Sequence, residues 1–153
     1  MSVVEFKEQI AKLTAQLVGK PLDVELDRWL NLEHGIGSIT YKELKVSCQT
    51  GVSEGWLCDR EGGIRYGRIF KSTPELHGFS VDVVDMQDIA GPHHAHPLGE
   101  IDLIMPIGGD AQFDNRPAGW LVYAPGTAHR PTVTKGRALV LYLLPEGRID
   151  FTR

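Results

Sequence analysis

The chain has 153 residues, of which 42% are hydrophobic and 24% charged, and a net charge of −4 with a pI near 5.8. That length and composition suit a folded domain burying roughly two-thirds of its unfolded surface, and they exclude a disordered or fibrous chain. The negative charge, with no Lys/Arg cluster, excludes a nucleic-acid or anionic-membrane partner.

Val3, Phe6, Ile10, Leu13 and Leu17 recur at steps of three and four, which predicts a helix from Ser2 to about Val18. Ser2 and Glu5 form a capping-box pattern at its start, and Gly19 and Pro21 end it. Leu22, Leu26, Trp29 and Leu30 predict a second, shorter helix ending near Gly35 and Gly37. Tyr41, Leu44, Cys48 and Val52 mark a third, from Thr40 to about Glu54. No apolar run reaches the roughly 20 residues that span a bilayer, and Met-Ser-Val-Val-Glu-Phe-Lys-Glu is too charged for a signal peptide, so a cytoplasmic location is expected. Cys48 and Cys58 lack Cys-x-x-Cys spacing and are expected to be ordinary thiols.

From Trp56 onward, Gly and Pro punctuate short β-branched or alternating runs, the pattern of an antiparallel sandwich or barrel. The expected strands are 64–70, 78–86, 93–96, 100–107, 111–113, 119–124, 130–134 and 137–144, with hairpin turns at Gly108-Gly109 and Lys135-Gly136. Val140-Leu141-Tyr142-Leu143-Leu144 is continuous apolar sequence, as in a strand covered on both faces. One domain is expected over residues 1–153, with a helical segment (1–55) packed on a β-barrel (56–153).

Residues two apart on a strand share a face, so His94 and His96 project together while Ala95 points away. Pro97-Leu98-Gly99 is short enough to return Glu100 to the same place, and His129 follows a turn through Pro125-Gly126. Three imidazoles and a carboxylate would hold a divalent ion, manganese or iron first, with zinc, nickel and cobalt also compatible. His93 faces the other way on a regular strand, and Asp102 shares a face with Glu100, so each is a candidate for proton transfer or for orienting a ligand.

The spacing His94-x-His96-(three residues)-Glu100, then Gly119-(five residues)-Pro125-Gly126-(two residues)-His129, resembles the two-motif pattern of the cupin superfamily over about Ile64 to Leu144. The second-motif proline abuts its glycine, and Val133 stands where cupins often carry asparagine. A resemblance over nearly the whole chain is to the 4-hydroxylaminobenzoate lyase family. It is carried by the helical start, Glu54-Gly-Trp-Leu-Cys58, Gly63-Ile-Arg-Tyr-Gly-Arg68, Gly99-Glu-Ile-Asp-Leu-Ile-Met-Pro106 and Gly126-Thr-Ala-His-Arg-Pro131. It implies a cupin-type antiparallel barrel with an N-terminal helical segment. It also implies conversion of 4-hydroxylaminobenzoate to 3,4-dihydroxybenzoate with release of ammonium, with His94, His96, Glu100 and His129 as the metal ligands.

A small aromatic carboxylate needs a guanidinium and a flat apolar slot. Arg65, Tyr66, Arg68, Tyr123 and Arg130 are the candidates; strand alternation lets only one of Arg65 and Arg68 face the interior. A homodimer or higher homo-oligomer is expected. An iron-dependent oxygenase acting on an aromatic acid and a non-catalytic binding barrel remain as alternatives.

Overall fold

The structure, a computed structural model, describes residues 2–61 and 64–152; Gly63, at the head of one quoted motif, lies outside them. Three helices, α1 (Val3–Ala15), α2 (Val24–Glu33) and α3 (Ile39–Glu54), precede the strands. The strands are β1 (Arg60–Glu61), β2 (Arg65–Phe70), β3 (Phe79–Ala90), β4 (His94–His96), β5 (Glu100–Phe113), β6 (Gly119–Tyr123), β7 (Thr127–His129), β8 (Thr132–Pro145) and β9 (Asp150–Phe151). They form a six-stranded sheet ordered β1-β2-β3-β8-β5-β6 and a three-stranded sheet ordered β7-β4-β9, antiparallel throughout. This is the expected mainly β, cupin-type architecture with its helical segment. Among the described residues, hydrogen bonding does not join the two sheets into a closed barrel.

Local chemistry sets the helix ends. Ser2 Oγ accepts the Glu5 N–H and the Glu5 carboxylate accepts the Ser2 N–H, so the capping box is formed. Regular α1 stops at Ala15, three residues short of the expected end, and the chain turns toward Gly19 with Leu17 still buried. Asp23 caps α2 and Ser38 caps α3, and Gly55, at φ 85°, terminates α3 in the left-handed region.

Both expected hairpin turns are corrected. Gly108 and Gly109 lie inside β5, Lys135 and Gly136 lie inside β8, and the two pairs face each other with Gly109 opposite Gly136. A Cβ on Gly136 would stand 2.0 Å from the Gly108 carbonyl oxygen, so glycine is required by close approach of two backbones. The glycines therefore mark irregular pairing at which two long strands bend together, and the predicted strands 100–107 with 111–113, and 130–134 with 137–144, fuse.

The six-stranded sheet has apolar residues on both faces. Ile101, Leu103, Met105, Leu139, Leu141 and Leu143 pack with Phe6, Ile10, Leu30 and Leu44 of the helices. Val140, Tyr142 and Leu144 lie in a second cluster on the other face. Tyr41 ties α3 to the sheet by donating its hydroxyl to the Ile104 carbonyl at 2.9 Å. The outer edge of β6 is closed by α2: Asn31 accepts the Trp120 N–H and donates to the Trp120 carbonyl, both at 2.8 Å, and Asp27 accepts the Val122 N–H at 2.9 Å. Cys48 and Cys58 are free and buried. No helix among the described residues is long and apolar enough to cross a membrane.

Candidate metal centre

The three-stranded sheet carries the histidines. His94 and His96 are both buried on one face of β4, and His129 on β7 is the register partner of His94. Glu100 opens β5 after the 97–99 turn, where Gly99 at φ 90° has no room for a side chain: a Cβ would meet Leu22 and the Tyr123 carbonyl at 2.8 Å. The four side chains offer donor atoms that lie within 4.8 Å of one another. His94 Nε2 is 3.0 Å from His129 Nε2 and 3.1 Å from Glu100 Oε1; His96 Nε2 is 3.3 Å from Oε1 and His129 Nε2 is 3.5 Å from Oε2. Ligands about 2.1 Å from a shared ion stand about 3.0 Å apart in octahedral and about 3.4 Å apart in tetrahedral arrangement, so these spacings fit either.

Hydrogen bonding also fixes which nitrogens are turned to the centre. Thr127 donates its hydroxyl to the Ala124 carbonyl at 2.6 Å, so it accepts from His96 Nδ1, 2.9 Å away, which leaves the His96 Nε2 lone pair free. His129 Nδ1 donates to Asp114 Oδ2 at 2.5 Å and likewise presents Nε2. His96 Nε2 and Glu100 Oε2 are buried with no hydrogen-bond partner, as befits donors aimed at a cation. Burial alone would raise the Glu100 pKa, but the imidazoles of His129, His94 and His96 gathered around it outweigh burial and hold the carboxyl well below its ordinary range. Burial would lower His129, yet Asp114 and Glu100 raise it to about 9, so an ion held here takes the place of the Nε2 proton. The donor set can hold a divalent metal ion.

Asp114 was not among the expected site residues. With Asn115 it forms a positive-φ turn after β5, and in sequence it reads only as turn chemistry. In the fold its Oδ2 also accepts the Tyr123 hydroxyl at 2.5 Å, and its Oδ1 accepts the Thr132 N–H at 3.0 Å. An Asp114→Asn variant is expected to bind metal roughly 10–100-fold more weakly, because the anion that orients His129 is lost. Chelator competition measures this, and unchanged affinity would remove Asp114 from the site.

Beside the cluster lies a cavity of about 630 Å³, lined by His94, by Arg60, Tyr66 and Arg68 from β1 and β2, and by Asp82 and Tyr142 among others. Its volume is ordinary for a small-molecule site. Tyr66 and Arg68 share the cavity face. Arg68 is held by Asp82, to which Nε and Nη2 donate at 2.8 and 3.1 Å. Arg65 lies on the opposite face, 3.7 Å from Asp85, which Arg137 grips through both carboxylate oxygens. Alternation along β2 thus separates the two arginines.

The remaining expected residues stand apart from the cavity. Tyr123 packs on His129 and His96, with ring centroids at 4.5 and 5.1 Å, and supports the cluster. Arg130 is exposed and donates to the Gly91 carbonyl at 3.1 Å. His93 turns away from the cluster and bonds the Thr152 hydroxyl. Asp102 is fully buried near Glu100 but touches no imidazole through a hydrogen bond; Asp114 fills the orienting role expected of it. Burial, reinforced by the Glu100 charge, raises Asp102 well above the ordinary carboxylate range.

Residues 8–151 match the family described as PnbB, 4-hydroxylaminobenzoate lyase. The chain is 30% identical to the 4-hydroxylaminobenzoate lyase of Pseudomonas putida, over 90% of this chain and 88% of that one. It is 32% identical to the enzyme of the same name from a Nocardioides strain, over 89% and 86%. Among solved structures, it is similar to a Ralstonia eutropha protein of unknown function with a cupin-like fold, at a TM-score of 0.41 and 20% identity over 61% of each chain. With a family match running almost end to end and relatives covered over most of their length, the chain belongs to the 4-hydroxylaminobenzoate lyase family.

Proposed function

We propose that the protein is a metal-dependent lyase converting 4-hydroxylaminobenzoate and one water to 3,4-dihydroxybenzoate (protocatechuate) and ammonia, released as ammonium, in the degradation of nitroaromatic acids. The observation that carries this is the buried cluster of three histidines and Glu100 in a chain of this family. A divalent ion such as manganese or iron held there would supply Lewis acidity to an oxygen of the substrate. His96 and His129 present Nε2 because Thr127 and Asp114 occupy their other nitrogens. Arg68, fixed by Asp82, takes the substrate carboxylate with Tyr66 beside it. Of the two expected proton carriers, Asp102 suits the reading better, since it stands two residues from Glu100 on the same strand whereas His93 faces Thr152. We further propose a cytoplasmic homodimer.

The overall reaction is redox-neutral, so no oxidant is required. Anaerobic incubation with 4-hydroxylaminobenzoate is therefore expected to yield ammonium and 3,4-dihydroxybenzoate in equal amounts. Turnover that requires oxygen and consumes it would instead identify an aromatic-acid oxygenase.

A further inference from the structure

We infer that β9 belongs to the recognition site and that Phe151 selects a flat aromatic ring over a saturated one. This rests on the proposal that the cavity takes an aromatic carboxylate. β9 pairs with β4, the strand that bears His94 and His96: Phe151 lies opposite His94 and Asp150 opposite Ala95, and the Thr152 N–H donates to the His93 carbonyl at 3.0 Å. The Phe151 ring centroid is 5.7 Å from that of His94, at an interplanar angle of 68°. Phe151 also lines the cavity, so its ring touches both the cluster and the space beside it.

Exposure gives the second, independent observation. Among the described residues, the exposed large hydrophobic side chains are aliphatic except for Tyr66 and Phe151, 44% and 64% exposed, and both line this one cavity. Tyr66 comes from the six-stranded sheet and Phe151 from the three-stranded sheet, so a ligand ring between them would cover apolar surface contributed by both. The two recognition elements are also joined. Arg68 Nη2 donates to the Gly147 carbonyl at 3.3 Å, in the turn that leads from β8 into β9. The guanidinium assigned to the carboxylate thereby steadies the strand that carries the aromatic wall.

The test compares 4-hydroxybenzoate with 4-hydroxycyclohexanecarboxylate by calorimetry on the metal-loaded full chain, wild type and Phe151→Leu. Leucine keeps apolar cover over His94 but removes the ring edge. The wild type is expected to prefer the aromatic acid, and Phe151→Leu to weaken it roughly three- to ten-fold while leaving the saturated acid unchanged. Phe151→Ala, on an exposed side chain, supplies a second variant with the same expected loss of preference. Equal weakening of both acids, no change in either, or no binding of either acid to the wild type overturns the inference. Intact, ring-selective binding without ammonium release overturns only the reaction proposed above.

Discussion

Replacing Glu100 with glutamine is expected to remove bound metal and ammonium release together. Glu100 is fully buried, and its two oxygens lie 3.1–3.5 Å from the Nε2 atoms of three histidines. Isolated burial would neutralise such a carboxyl; the three imidazoles around it hold its pKa well below the ordinary range. Glutamine conserves its volume but not its charge, so the anion that offsets a divalent cation in a dry pocket is lost. Metal affinity should fall by more than the roughly 10–100-fold typical of changes to residues behind the ligands. Elemental analysis of the purified variant, with circular dichroism to confirm the fold, measures the effect. A Glu100→Gln protein that keeps its metal would show that the four side chains do not act as one site.

Trp120→Ala carries the largest expected cost in stability. Trp120 is 1% exposed, its indole N–H donates to the His34 carbonyl at 2.8 Å, and Asn31 bonds both its backbone N–H and carbonyl. Truncation leaves a large void between α2 and β6, for which about 3–5 kcal/mol is expected, against about 5–15 kcal/mol for a whole domain. A fall in Tm of about 10 °C follows for a chain of this size. Helices and sheet share a hydrophobic cluster, so we expect one cooperative transition in both proteins, as for a single domain. Two separate transitions, or a loss below about 1 kcal/mol, would contradict a common core.

The two-residue period of His94-Ala95-His96 and the short turn to Glu100 made the cluster readable from sequence, because both depend on local strand geometry. The strands around it were readable in part. Gly108-Gly109 and Lys135-Gly136 carry the dipeptide signature of hairpins, yet each is the other's partner in a bent pair of long strands, a relation that sequence spacing does not reveal. The same applies to Asp114: its role arises only because β7 brings His129 against the turn after β5. Asp27 and Asn31 look like the polar face of a helix until β6 is seen beside them. β9 is two residues long, too short for any periodic signal, and so Phe151 escaped notice.

Metal dependence of ammonium release is the claim on which the chemistry rests. Purified protein, stripped with a chelator, should release no ammonium from 4-hydroxylaminobenzoate, and adding back a single divalent metal in stoichiometric amount should restore release in proportion to the metal bound. Full ammonium release from protein shown by elemental analysis to be free of metal would contradict the account.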